Sequence, residues 1–119
     1  MKSTDTASNE VSVAEAGRAA CAERPILDIR TADERCVGGP VDAVSLTAQG
    51  VLDACRDDPG FAQRGGDVLC AEGVRSLALV ERLHSMGHHG FRSVRGGMNA
   101  WLEAGLPLVA ATGLQAAEA

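Results

Sequence analysis

The sequence predicts an α/β domain with a parallel sheet covered by helices on both faces, and three observations carry that prediction. Short apolar runs containing β-branched residues recur at Ile26–Ile29, Asp67–Leu69 and Phe91–Val94. Segments with helical spacing of apolar residues separate them. Helix-start signals follow closely on strand signals, which is how βα units read.

In chain order, residues 1–10 are polar and without period, and read as a flexible leader. Ser12 and Glu15 have capping-box spacing ahead of an alanine-rich helix to about Ala22, which Pro25 stops. Ile26–Ile29 is the first buried strand. Thr31 and Glu34 repeat the capping-box spacing, so a short helix begins there and ends before Gly38-Gly39-Pro40. Val41 to Ser45 reads as a further short strand. From Leu46, the residues Ala48, Val51, Leu52 and Cys55 form an amphipathic stripe ending at Asp57-Asp58-Pro59-Gly60. Phe61–Gly66 reads as a loop. Asp67–Leu69 is a strand, and Arg75–Met86 is a helix with Leu79, Val80, Leu83 and Met86 on one face and Gly87 as its C-cap. Phe91–Val94 is a strand, Gly96-Gly97 a tight turn, and Met98–Ala104 a helix carrying Trp101. The domain is expected over 11–109, with 110–119 an alanine-rich tail.

Composition excludes several classes of function. At 119 residues and 45% apolar, the chain makes one ordinary domain. With two Phe, one Trp and no Tyr, its core is built from Leu, Val, Ile and Ala. A net charge of −5 and a single lysine leave no basic stripe for nucleic acid. No apolar run is long enough for a membrane span or signal peptide, so no membrane partner is expected. Cys21, Cys36, Cys55 and Cys70 are never closer than 15 residues, which gives no support to a structural zinc or thioredoxin-type pair. Reduced thiols and a cytoplasmic location follow as the default.

The residues that carry chemistry are Cys70-Ala71-Glu72-Gly73-Val74-Arg75-Ser76. The cysteine ends a strand and a helix opens at the arginine, so the thiol sits over loop N–H groups and a helix N-terminus, which stabilise a thiolate or an oxyanion. Gly73 is expected at φ > 0, turning the amides of Ala71 to Ser76 inward. An unperturbed thiol, with a pKa of ~8.5, is mostly protonated at neutral pH, so the loop must lower it. Arg75 has two readings: it holds the anionic end of a substrate, or it braces the loop against carbonyls or a carboxylate. Glu72 opposes ionisation of the thiol and repels anionic substrates.

The loop resembles the active-site loop of the single-domain rhodanese-like sulfurtransferases: cysteine, two variable residues, glycine, one variable residue, arginine, then serine or alanine. Gly96-Gly97 with Trp101, followed by Gly105-Leu106-Pro107, is similar to the family's C-terminal signature, and Leu27-Asp28-Ile29-Arg30 with Glu34 to its upstream segment. Two positions depart from the pattern: Arg35 stands where an aromatic is usual, and Gly39 where a histidine is usual. The resemblance implies a three-layer fold with a central parallel sheet of about five strands. It implies a persulfide on Cys70, a small-molecule or protein sulfur donor, and a thiol acceptor. Asp28 and Arg30 would be structural residues near the site. No metal or organic cofactor is implied, and a monomer is expected.

Related phosphatases of this fold place five residues between cysteine and arginine. Here four intervene, which favours sulfur over phosphate. A phosphatase or arsenate-reductase-type enzyme using the same cysteine therefore ranks below a sulfurtransferase, and a non-catalytic binding or regulatory module is the other alternative. Glu72 makes thiosulfate a poor expected donor. Cys55 and Cys21 read as buried and inert, Cys36 as a candidate resolving thiol or a bystander, and Trp101 as core. His84, His88 and His89 read as solvated, because Gly87 breaks the helix between the first two.

Overall fold

A computed structural model describes residues 9–109. The leader before Asn9 and the tail after Val109 lie outside the described residues. The elements in order are β1 (Glu10–Val11), α1 (Val13–Cys21), β2 (Ile26–Asp28), α2 (Ala32–Arg35), β3 (Gly39–Pro40), β4 (Val44–Ser45), α3 (Ala48–Asp57), α4 (Pro59–Arg64), β5 (Gly66–Leu69), α5 (Val74–Ser85), β6 (Phe91–Val94), α6 (Gly97–Glu103) and β7 (Leu108–Val109). Five strands form one sheet in the order β1-β6-β5-β2-β4, with every pairing parallel. β3 and β7 pair antiparallel in a separate ribbon.

Alternation along the central strands divides the core into two layers. Leu27 and Val68 join Val51, Leu52, Leu79, Val80, Leu83 and Phe91 beneath α3 and α5. Ile26 and Leu69 point the other way and pack with Ala16, Met98 and Trp101 beneath α1 and α6. A fully buried Leu, Ile or Val contributes ~1.5–3 kcal/mol, so these two aliphatic layers dominate the favourable side of folding. Trp101 lies in the core as expected, and its Nε1–H donates to Pro107 O at 3.1 Å. Among the described residues, no helix is long and apolar enough to cross a membrane.

Three local expectations change. Residues 59–64 are helical rather than a loop: the Asp58 carboxylate accepts from Gly60 N–H at 3.0 Å and Pro59 occupies the first turn, so the Asp-Pro pair that ends α3 also starts α4. Phe61 thereby reaches Phe91, with ring centroids 5.8 Å apart. Glu10, placed in the leader, pairs with Ser93 in β1. A two-residue edge strand shows no alternation to read. Within 41–45 only Val44 and Ser45 form a strand, since Asp42 takes a left-handed turn at φ 62°. The Thr31–Glu34 capping box is complete, whereas at Ser12 only the serine half is made, accepting from Glu15 N–H at 3.1 Å.

Candidate active site

Cys70 follows β5 directly and its side chain is 1% exposed. Gly73 caps α5 at φ 93°, a conformation that turns its own N–H back to the sulfur. Cys70 Sγ accepts from Gly73 N at 3.1 Å and from Ser76 N at 3.3 Å, and lies 3.3 Å from Ser76 Oγ. Ser76 Oγ is in turn 2.7 Å from Ser93 Oγ on β6, and both serines are buried. Burial pushes the Cys70 thiol pKa up, but the Ser76 hydroxyl and the amides of Ser76, Gly73 and Glu72 together outweigh it and leave the pKa below its ordinary value. Gly73 takes the expected positive φ, and of the amides between Ala71 and Ser76 those of Glu72, Gly73 and Ser76 act on the sulfur. Ser93 carries only a weak sequence signal, a small polar residue two positions after Phe91 and so on the same face of β6.

The loop is held from below by the C-terminal glycine pair. Met98 N–H donates to Cys70 O at 2.8 Å and Asn99 N–H to Ala71 O at 3.1 Å, so the first turn of α6 satisfies the loop's carbonyls. A Cβ on Gly97 would collide with Cys70 O, and one on Gly73 would stand 2.9 Å from Gly96 N. Both contacts require glycine at close backbone approach.

Arg75 does not reach into the cavity as a free cation. Its guanidinium donates to Glu34 Oε2 at 2.8 Å and Oε1 at 3.2 Å, the carboxylate-bracing alternative of its two readings. Arg75 holds the Glu34 carboxyl down to about 2, with the Thr31 N–H adding to the effect. In sequence Glu34 is a capping residue and a motif position; in the structure it also lines the cavity. That cavity measures about 220 Å³ and is walled by Glu34, Cys70, Ala71, Glu72, Val74 and Arg75. Glu72 is exposed at its mouth, and its N–H acts in favour of the thiolate.

Asp28 and Arg30 are a buried ion pair behind this wall, with Nη2–Oδ2 at 2.8 Å and Nε–Oδ1 at 3.0 Å. Arg30 also donates to Glu34 O and Gly38 O, which ties the segment bearing Glu34 to β2. The two departures from the family pattern both serve this pair. Arg35 Nη1 donates to Arg30 O at 2.6 Å, and a side chain at residue 39 would meet Arg30 Nη2 at 2.7 Å. Neither residue lines the cavity over Cys70.

No family model matches the sequence, and no curated protein matches it. Solved structures do match. A rhodanese-related protein from Thermoplasma volcanium superposes with a TM-score of 0.67 at 25% identity, covering 85% of this chain and 97% of that one. A rhodanese-like domain protein from Staphylococcus aureus gives 0.59 at 27%, covering 78% and 90%.

The chain has the rhodanese-like fold.

Two further superpositions bear on activity only through what those proteins are called. A thiosulfate sulfurtransferase from Pseudomonas aeruginosa gives a TM-score of 0.73 at 22% identity over 91% of this chain and 21% of that one. A Rhodopseudomonas palustris protein described as a possible tyrosine phosphatase gives 0.75 at 22%, over 91% and 89%. At such identities the likeness is one of fold.

The remaining candidates fall away from the loop. Cys55 is buried and burial raises its pKa, as an inert core thiol requires. Cys21, expected to be buried, is exposed, because it is the last residue of α1 and only Ala16 of that helix is fully covered. Cys36 is exposed at the end of α2 and is not part of the cavity wall. His84 is not simply solvated: its Nε2 lies 2.8 Å from Phe91 O, and its ring is 5.3 Å from that of His89. Among the described residues, no three His, Cys, Asp or Glu side chains gather as metal ligands would. A larger apolar groove of about 530 Å³ lies beside the start of β2, lined in part by Gly17, Ile26, Trp101 and Leu106. Its lining is mostly apolar and does not include Cys70, so the chemistry is assigned to the smaller, polar cavity.

Proposed function

We propose that the chain is a sulfurtransferase that carries a sulfane sulfur as a persulfide on Cys70. The observation that supports this reading most directly is the environment of the sulfur: two loop amides and the Ser76 hydroxyl converge on Cys70 Sγ at 3.1 to 3.3 Å, at the start of a twelve-residue helix. These groups favour a thiolate, the reactive form of cysteine.

The thiolate attacks the sulfane sulfur of the donor, the donor's bond to that sulfur breaks, and Cys70 holds it as a persulfide. An acceptor thiolate then attacks the outer sulfur and releases Cys70 as a thiolate. The same amides stabilise the charge at both ends of the cycle. The balance of charge at the mouth supports a donor other than thiosulfate, since Glu34 occupies Arg75 and Glu72 adds an exposed carboxylate. Such a cycle needs Cys70 reduced, which suits a cytoplasmic setting.

A phosphatase reading has less support, because four residues rather than five separate Cys70 from Arg75 and two loop amides already point at the sulfur itself. Intact-mass measurement after incubation with a polysulfide tests the proposal. One added sulfur atom, absent from Cys70→Ser, is expected. No adduct with any sulfane donor would leave a non-catalytic module as the better reading, and hydrolysis of an aryl phosphate would restore the oxyanion one.

A further inference from the structure

The cavity over Cys70 shares two of its walls with a neighbouring groove. Glu72 and Val74 also border a space of about 390 Å³ walled by Leu77, Ala78 and Glu81 of α5, with Gly73, Glu10, Arg95 and Gly96 completing it. The α5 residues fall at the spacing of one helix face, so the groove follows the helix away from the active site. Its floor is apolar and open, with Val74 70% exposed.

The charges are unbalanced. Arg95 is occupied by Glu10 at 3.3 Å, as Arg75 is by Glu34. Among the described residues, Glu72 and Glu81 take part in no ion pair. Cavity and groove together thus present two carboxylates outside any ion pair, Glu72 at the cavity mouth and Glu81 farther along α5, while both of their cations are paired.

We infer, on the basis of the sulfurtransferase reading, that the acceptor of the Cys70 sulfur is a cysteine on a basic protein segment lying in this groove, selected by the charges of Glu72 and Glu81. In the transfer step the acceptor's thiol first loses its proton to solvent. Its thiolate attacks the outer sulfur of the persulfide, the new S–S bond forms as the bond to Cys70 Sγ breaks, and Cys70 leaves as the thiolate. The outer sulfur keeps its proton, and no external oxidant or reductant is needed. An anionic sulfur must therefore approach a mouth that already carries negative charge. Lys or Arg beside the acceptor cysteine offsets that repulsion and also favours the acceptor thiolate. From Val74 to Glu81 the helix rises ~10 Å, which an extended segment covers in about three residues. The cations should stand within that distance of the acceptor cysteine.

The test compares two short cysteine peptides, one flanked by lysines and one by glutamates, as acceptors from Cys70 loaded with sulfur by polysulfide. Loading is verified by mass for the wild-type chain, for Glu81→Gln and for Glu72→Gln/Glu81→Gln. The lysine peptide is expected to take the sulfur about 10-fold faster than the glutamate peptide at low salt. That ratio should shrink stepwise in the two variants and at ~0.5 M salt. Normalising to the variants removes the intrinsic difference between the two thiols. An unchanged ratio in the double variant, or a faster glutamate peptide, overturns the inference while leaving the sulfurtransferase reading intact. Failure of Cys70 to load at all overturns that reading, and the acceptor with it.

Discussion

Arg75 donates from both terminal nitrogens to the Glu34 carboxylate, joining the Cys70 loop to the capping box of α2 across 41 residues of sequence. The same Glu34 carboxylate accepts from the Thr31 N–H at 2.8 Å, so one side chain starts a helix, braces the loop and neutralises its arginine.

Glu34→Gln frees the Arg75 charge toward the cavity. Turnover with thiosulfate is expected to rise, by about 10-fold if one unit charge at the mouth is decisive. A steady-state comparison of wild type and variant reads it, and an unchanged or lower rate would contradict this account of Arg75. The folded-state carboxyl, at about 2, lies below its ordinary 4.5. The Glu34 contribution to stability is therefore fully present above pH 4.5 and is lost as pH falls through about 2. Melting temperatures of wild type and Glu34→Gln should differ at neutral pH and converge in acid.

Ser76→Ala removes the hydroxyl between Cys70 and Ser93. The Cys70 pKa should move upward, and iodoacetamide alkylation at neutral pH should slow ~3–10-fold, with the inflection of a rate-against-pH profile displaced to higher pH. Ser93, left without its 2.7 Å partner in a buried site, makes the same variant less stable by ~1–3 kcal/mol in urea unfolding. A profile unaltered in the folded variant would remove the serine pair from the site.

Gly73→Ala forces a Cβ against Gly96 N at 2.9 Å with φ at 93°. The loop must then open, and the Gly73 N–H leaves the sulfur. Loss of fast Cys70 alkylation and destabilisation of at least ~1 kcal/mol are expected. Gly97→Ala, at a second close approach between the glycine pair and the loop, should act alike through Cys70 O. Wild-type alkylation rates in both would show that the loop does not depend on this close approach.

Asp67 is a test of fold without chemistry. It is fully buried in β5 between Arg24 and Arg92, with Nε–Oδ1 distances of 2.8 and 2.9 Å. Asp67→Ala leaves two partly exposed guanidiniums facing each other. A loss of ~1–3 kcal/mol in urea is expected, less than for a wholly buried pair because both arginines reach water. Alkylation of Cys70 in the folded variant should be unaltered.

What could be read from sequence is what short stretches encode by themselves. The Cys70–Ser76 loop, Gly73 at positive φ, the apolar stripes of α3 and α5 and the Gly96-Gly97 turn depend on neighbours within a few residues. Local periodicity and backbone preference therefore expose them. The helix at Pro59 is also written locally, in Asp58-Pro59, but the same residues spell the end of α3, so the start signal is masked by the stop. Other features have no local trace. Glu34 against Arg75, Ser93 beneath Ser76, Glu10 on β6 and the β3–β7 ribbon each join residues far apart in the chain. The strand order β1-β6-β5-β2-β4 and the separate β3–β7 pairing bring them together, and no short window of sequence contains both members. The sequence by itself thus determined that a cysteine meets a helix N-terminus at the end of a parallel strand. Tertiary structure alone decided that its arginine is already neutralised and that the mouth of the site is acidic, because charge at a site is a sum over everything the fold brings near.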